Sequence, residues 1–269
     1  MLCPHHCRLA QGQVGYCQAR RNEGGRIISL SYGKITALAL DPIEKKPFAR
    51  FHAGSRILSV GSFGCNMRCP FCQNSDISMA DATIHAETMP PEQLIEKAKA
   101  LIPHGNIGIA YTYNEPLINF EYVLASAALA READLINALV TNGMICPAPL
   151  TQLLPYVDAM NIDLKCFTEE GYVRLGGNLA AVKHTIRTAA KACHVEVTTL
   201  IVPGLSDAQA DMQAQAAWLR SIDPAIPLHI TRFYPRHQMQ GISPTDVSVL
   251  KRLRDIAAQY LQHVYLGNC

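Results

Sequence analysis

The residues best equipped for chemistry in this 269-residue chain lie in one loop, Gly64-Cys65-Asn66-Met67-Arg68-Cys69-Pro70-Phe71-Cys72-Gln73-Asn74. Its three cysteines are spaced Cys-x3-Cys-x2-Cys. Thiolate sulfur is the ligand type that suits iron–sulfur clusters and zinc. A loop this short sets three thiolates at three corners of one small inorganic cube. It offers no fourth, since the next cysteine is Cys146. A [4Fe–4S] cluster held by Cys65, Cys69 and Cys72 keeps one iron open, as catalytic metal sites do and closed structural sites do not. The competing reading is a zinc knuckle completed by a histidine, although zinc ribbons and fingers usually pair two separate Cys-x2–4-Cys elements.

Cys3, Cys7 and Cys17 form a second sulfur-rich set, with His5 and His6 between the first two. A metal there would help a small module fold. Zinc and an auxiliary iron–sulfur cluster both fit, and the alternative is three reduced, packed thiols. Ten cysteines with no recognisable export signal point to metal or redox chemistry in a reducing, low-oxygen cytoplasm. The formal charge is only +2, so no broad attraction to nucleic acid or membrane is expected. The most apolar helical stretch, around 123–130, is too short to span a bilayer.

The elements that must position these groups fall into two parts. Residues 1–50 read as an N-terminal Cys-rich module with strands at 26–32 and 35–40, joined by a turn at Gly33-Lys34. Residues 51–269 alternate strands with helices. The strands are expected at 57–60, 107–113, 136–140, 159–164, 195–202 and 228–234. Asn178 reads as an N-cap, Ser206-Asp207 as the cap of the next helix, and Ser243-Pro244 as the start of the last. Six βα units in series demand a parallel sheet, too few for a closed eight-fold barrel.

In parallel barrels the active site gathers at the C-terminal strand ends. There stand the three cysteines of the loop, Tyr113-Asn114-Glu115-Pro116, Thr141-Asn142-Gly143, Asp163-Leu164-Lys165 and Val202-Pro203-Gly204, with His229 on the sixth strand. Tyr111 and Tyr113, two residues apart, are expected to face one side. Cys166 adjoins Lys165, whose charge would lower a thiol pKa. Locally, Glu115-Pro116 also reads as a helix start, and a lone strand histidine as a satisfied core residue.

The Cys65–Cys72 spacing, with aromatic Phe71 before the last cysteine, resembles the cluster motif of the radical S-adenosylmethionine (SAM) superfamily. The run GCNMRCPFCQN resembles the activating enzymes of glycyl radical enzymes, such as that of pyruvate formate-lyase. CPHHC (3–7), GQVGYCQARRN (12–22), DPIEKKP (41–47), AYTYNEP (110–116), NIDLK (161–165) and VYLGN (264–268) are similar to a subgroup known as that activase or as the AmmeMemoRadiSam system radical SAM enzyme. The resemblance implies a partial (β/α)6 TIM-like barrel of the α/β class, open on one side to a macromolecular substrate.

The resemblance also implies roles. A [4Fe–4S] cluster would reductively cleave SAM to methionine and a 5′-deoxyadenosyl radical, with electrons from a donor such as flavodoxin or ferredoxin. Glu115 matches the acid of a Gly-Gly-Glu motif that binds the SAM amino group, with Tyr113 and Asn114 in place of the glycines. Asp163 and Lys165 match an Asp-x-Lys motif that contacts SAM, and Asn142 and Gly143 a Thr-Asn-Gly motif. Val202 and Gly204 would pack on the adenine, and His229 would lie near the ribose or carboxylate. Members of the subgroup carry a further cysteine before the position of Cys3, and often a cysteine-containing tail beyond that of Asn268. The implied substrate is a glycyl radical enzyme, or another substrate handled with proteins of the AMMECR1 and Memo types. Outside enzymes, the alternative is a zinc-bound interaction protein, with no iron and no SAM cleavage.

Overall fold

Short apolar runs bounded by turn residues become the strands of one eight-stranded sheet in a computed structural model that describes residues 1–269. In chain order they are β1 (Ala37–Pro42), β2 (Arg56–Gly61), β3 (Asn106–Tyr111), β4 (Ile136–Thr141), β5 (Ala159–Asp163), β6 (His194–Ile201), β7 (Leu228–Arg232) and β8 (Val264–Gly267). They lie side by side in that same order. β1 runs antiparallel to β2, and all later neighbours are parallel. β1 and β8 do not pair with each other, so the sheet is a partial barrel. The connecting helices are α1 (Pro91–Ala100), α2 (Phe120–Glu132), α3 (Pro147–Leu153), α4 (Leu179–Ala189), α5 (Gln209–Arg220) and α6 (Val247–Ala257). No helix is long and apolar enough to cross a membrane.

All six expected strands are present, and β8 adds a seventh parallel one. Its four residues, Val264–Gly267, are each half-buried, and four residues are too few to show a strand period. Two helix starts differ from expectation. Ser206 accepts from Val202 N (2.8 Å) and donates to Leu200 O (2.7 Å), closing the turn after β6, so α5 begins later, at Gln209. α6 begins after Asp246, which accepts from Ser248 N at 2.7 Å. Asn178 does cap α4, accepting from Ala181 N at 2.9 Å.

The N-terminal strands pair differently from a hairpin turned at Gly33-Lys34. Arg26–Ser29 folds back on Arg20–Glu23, through Gly24 and Gly25 at φ of +59° and +80°, where glycine alone is unstrained. β1 instead joins the edge of the main sheet, so the sheet takes in residues N-terminal to position 50.

The inner face of the sheet is built from small side chains. Ala110, Ala138 and Ala159 leave room that Ile43 and Phe48 fill, beside Ile57. The segment after β1 thus plugs one end of the barrel. Its backbone polar groups are satisfied from the strands: Asn161 Nδ2 donates to Pro47 O (2.7 Å), and Ala49 N (3.0 Å) and Arg50 N (2.8 Å) donate to Glu196. Burial alone would push the Glu196 carboxyl up, but His194, His229 and the two amides outweigh it and hold the group at about 2. Phe48 is fully buried. Phe48→Ala should cost roughly 3–5 kcal/mol of stability, because a cavity opens between rigid strands. A shift of the urea midpoint at unchanged slope would register it.

Candidate functional site

The loop after β2 is shaped by two features. Gly64 has φ +84°, and a Cβ there would stand 2.4 Å from the Cys17 carbonyl oxygen, so only glycine fits. Asn114 staples the loop to the end of β3: it accepts from Ser62 N (2.9 Å) and donates to Phe63 O and Gly64 O (3.1 Å each). The loop then presents Cys65 and Cys72 half-buried and Cys69 buried.

Two of the three thiols, Cys65 and Cys69, are shifted by burial and by their neighbours. Burial raises Cys65 most, with Glu115 and then Cys69 and Cys72 adding to it. Burial likewise pushes Cys69 up to about 11; Lys165 pulls it back and Cys72 raises it. Such thiols keep their protons near neutrality unless a metal replaces them. Donors for anionic sulfur are in place: Met67 N lies 3.4 Å and Asn142 Nδ2 3.6 Å from Cys65 Sγ. As positioned, no three His, Cys, Asp or Glu side chains anywhere form a set that could hold a metal ion. Thiol chemistry, neighbouring N–H donors and a nearby ammonium together fit an anionic iron–sulfur group.

Glu115 sits behind this loop, 3% exposed. Its Oε1 accepts from Thr141 Oγ1 (2.7 Å) and Leu117 N (3.0 Å), and its Oε2 from Asn142 N (2.7 Å). The bond to Leu117 caps the 3-10 turn Pro116–Asn119, as the local reading expects. Two acceptor sites per oxygen leave Oε2 one free. Burial raises its pKa to about 7 against the pull of these donors. Asn142 donates to Asn66 Oδ1 (2.9 Å) and accepts from Met144 N (2.9 Å). Gly143 has φ +71°, and a Cβ there would crowd Ile162 at 3.0 Å. Asp163 and Lys165 pair at 2.8 Å at the mouth of β5, both partly exposed. Burial pulls Lys165 down, but Asp163 and Cys69 outweigh it and raise its pKa.

The remaining expected positions are less closely gathered. Val202 is buried and Gly204 has φ +72° in a turn whose amide donates to Asp207 Oδ1 at 3.0 Å. His229 Nε2 lies 2.5 Å from Glu196 Oε2, and its ring stacks on Tyr265 at 5.4 Å. That nitrogen is committed to the carboxylate that holds the plug. Cys166 is buried, and burial raises its thiol instead of Lys165 lowering it.

A model of the radical SAM superfamily matches residues 59–215. The chain belongs to that superfamily. Its members use a [4Fe–4S] cluster and SAM for radical chemistry, and this chain is a SAM-cleaving enzyme of that kind. An uncharacterized protein of Methanocaldococcus jannaschii is 37% identical over 99% of this chain and 80% of its own length. The pyruvate formate-lyase-activating enzyme of Clostridium pasteurianum is 24% identical over 72% of this chain and 81% of its own. A solved radical SAM methyltransferase from Sphaerobacter thermophilus shares the fold at a TM-score of 0.61 and 14% identity, covering 80% of this chain and 67% of that one.

Around this radical SAM core the N-terminal segment lies on the cysteine loop. His5 Nε2 is 2.7 Å from Asn66 O, the Arg68 guanidinium stands 4.5 Å over the Tyr16 ring, and Cys146 N donates to Leu2 O at 2.8 Å. Burial raises the Cys3 and Cys17 thiols, and both also sense Cys7. The three are thus neighbours, though not a closed ligand set.

Sequence reasoning missed the Tyr113 environment. Tyr111 is buried, with its hydroxyl on Asn137 at 3.3 Å. Tyr113 does not share its face, because φ of +72° swings the chain at that residue. Its hydroxyl instead donates to Asp41 Oδ2 at 2.8 Å, and Lys46 Nζ lies 4.4 Å over its ring. The left-handed region costs a side-chain-bearing residue about 1–2 kcal/mol. The DPIEKKP run was the available signal, but it carried no indication of its partner. Beside Cys72 a cleft of about 890 Å³ opens between the cysteine loop and the end of β8, lined by Asn74, Asp76, Tyr234, Arg236 and Asn268 among others.

Proposed function

We propose that Cys65, Cys69 and Cys72 hold the [4Fe–4S] cluster and that the enzyme abstracts hydrogen from a segment of a protein substrate, as an activase of glycyl radical enzymes does. The observation carrying this reading is the large polar cleft that opens directly beside Cys72 at the unpaired side of the barrel. When bound, cluster and SAM supply one-electron cleavage of the sulfonium and a hydrogen-abstracting 5′-deoxyadenosyl radical. The chain's own residues do the rest. Glu115 would hold the SAM ammonium, Asp163 and Lys165 would contact SAM at the rim, and Asn142 donates to the Cys65 sulfur. Gly143 lets the turn after β4 approach, and Val202 and Gly204 would pack on the adenine. The buried plug at Phe48 keeps water from the closed end. His229 serves first to hold that plug through Glu196. Electrons come from a small donor such as flavodoxin or ferredoxin, in a reducing cytoplasm.

A second reading, modification of another substrate alongside proteins of the AMMECR1 and Memo types, is favoured by the N-terminal cysteine segment. Cys3, Cys7 and Cys17 would there hold zinc or an auxiliary cluster. Anaerobic protein, reconstituted with iron and sulfide and given reductant and SAM, separates the two readings. With a glycyl radical enzyme as partner, the activase reading expects a glycyl radical signal by electron paramagnetic resonance, stoichiometric with 5′-deoxyadenosine. Product without any radical on the partner would sink that reading and leave the second.

A further inference from the structure

The turn carrying Glu115 is built on a residue that is unusual at positive φ. Tyr113 takes φ +72° where the family motif has glycine, and glycine alone takes that conformation freely. Two contacts hold it there. Its hydroxyl donates to Asp41 Oδ2 at 2.8 Å, and the Lys46 ammonium lies 4.4 Å over its ring. Lys46 and Asp41 are themselves paired at 2.9 Å, with the Lys46 side chain only 4% exposed. A buried ammonium with one carboxylate and one aromatic face for partners is strongly directional. Both residues come from the segment that ends β1 and begins the plug. Downstream, Tyr113 O accepts from Asn74 Nδ2 at 2.7 Å, two residues past Cys72. Asn114 holds the cysteine loop, and Glu115 follows.

We infer that Asp41 and Lys46 are positioning residues for SAM binding: they hold Tyr113 in the left-handed conformation that aims Glu115 and fastens the cysteine loop. The inference rests on reading Glu115 as a SAM contact. It makes the N-terminal segment part of the SAM site without touching SAM.

The test is a coupling experiment on the reconstituted full chain, using SAM itself as the probe in equilibrium binding and steady-state cleavage. Lys46→Met and Tyr113→Phe should each weaken SAM binding, Lys46→Met by about tenfold, seen in KM more than in kcat. With Tyr113→Gly the turn adopts its conformation unaided, so adding Lys46→Met should change affinity less than about twofold. Equal losses in both backgrounds would overturn the inference, as would an unchanged affinity in Lys46→Met. If Lys46→Met alone does not fold, Asp41→Asn is compared in the same two backgrounds with the same criteria. Glu115→Gln, measured in parallel, separates the two levels. Unchanged affinity there would mean that the Glu115 reading has failed. A loss there, with no coupling between Lys46 and Tyr113, would mean that only the positioning inference has.

Discussion

Replacing Cys65, Cys69 and Cys72 together by alanine should abolish 5′-deoxyadenosine formation and lower iron and sulfide content after reconstitution by one cluster per chain. The three thiols are the proposed ligands in the loop after β2, and Gly64 and Asn114 fix that loop in place. The variant should still fold, since the loop is held by Asn114, by Arg68 N on Leu175 O (2.9 Å) and by Gln238 N on Pro70 O (2.9 Å), none of which uses sulfur. Substituting the supporting donor is a milder change. Asn142→Ala should cost roughly 10–100-fold in activity, the usual effect of losing a group that orients a metal ligand. If the triple variant retained cleavage, or if Asn142→Ala were as severe as the triple, the assignment of ligand and support would be wrong.

SAM affinity should fall as pH drops below about 7, by up to tenfold per unit, because burial holds the Glu115 pKa at about 7. The sign follows from the charge. Below that pH the group is a neutral acid and cannot balance an ammonium; above it, Oε2 accepts as a carboxylate. Glu115→Gln should weaken binding and flatten the pH profile between 6 and 8. The same group affects folding. Its pKa is raised from 4.5 to about 7, so its contribution to stability is full below the unfolded value and lost as pH rises through the folded one. The loss is on the order of 3 kcal/mol at most, from about 1.4 kcal/mol per unit. A bound ammonium compensates that buried charge. The increase in melting temperature on adding SAM should therefore be larger at pH 8 than at pH 6. A SAM affinity independent of pH in the wild-type protein would refute the Glu115 contact.

Much of the chemistry was legible locally. Cys65, Cys69 and Cys72 stand out as candidate ligands by spacing, because side chains in one short loop need no distant partner to be brought near one another. The six strands 57–60 to 228–234 were legible because each is a run of apolar residues bounded by turns, and their parallel order follows from the intervening helices. Asn178 was legible as a cap because its partner, Ala181 N, is three residues away.

What tertiary structure decided involves partners distant in sequence. Asp41 meets Tyr113 across 72 positions, Ala49 meets Glu196 across 147, and Cys3, His5 and Tyr16 come to lie on the cysteine loop. No local pattern encodes these pairings. Ala110, Ala138 and Ala159 read as ordinary small strand residues until Phe48 fills the space they leave. β1 reads equally well as half of a local hairpin, and only the free edge of β2 decides its partner. His229 reads as a ligand contact or a core residue with equal ease until Glu196 is seen to take its Nε2. The sequence alone determined the superfamily and its candidate ligands, since those depend on residue type and short spacing. How the strained Tyr113 turn is held, and what closes the barrel beneath it, depended on contacts that only the folded chain creates.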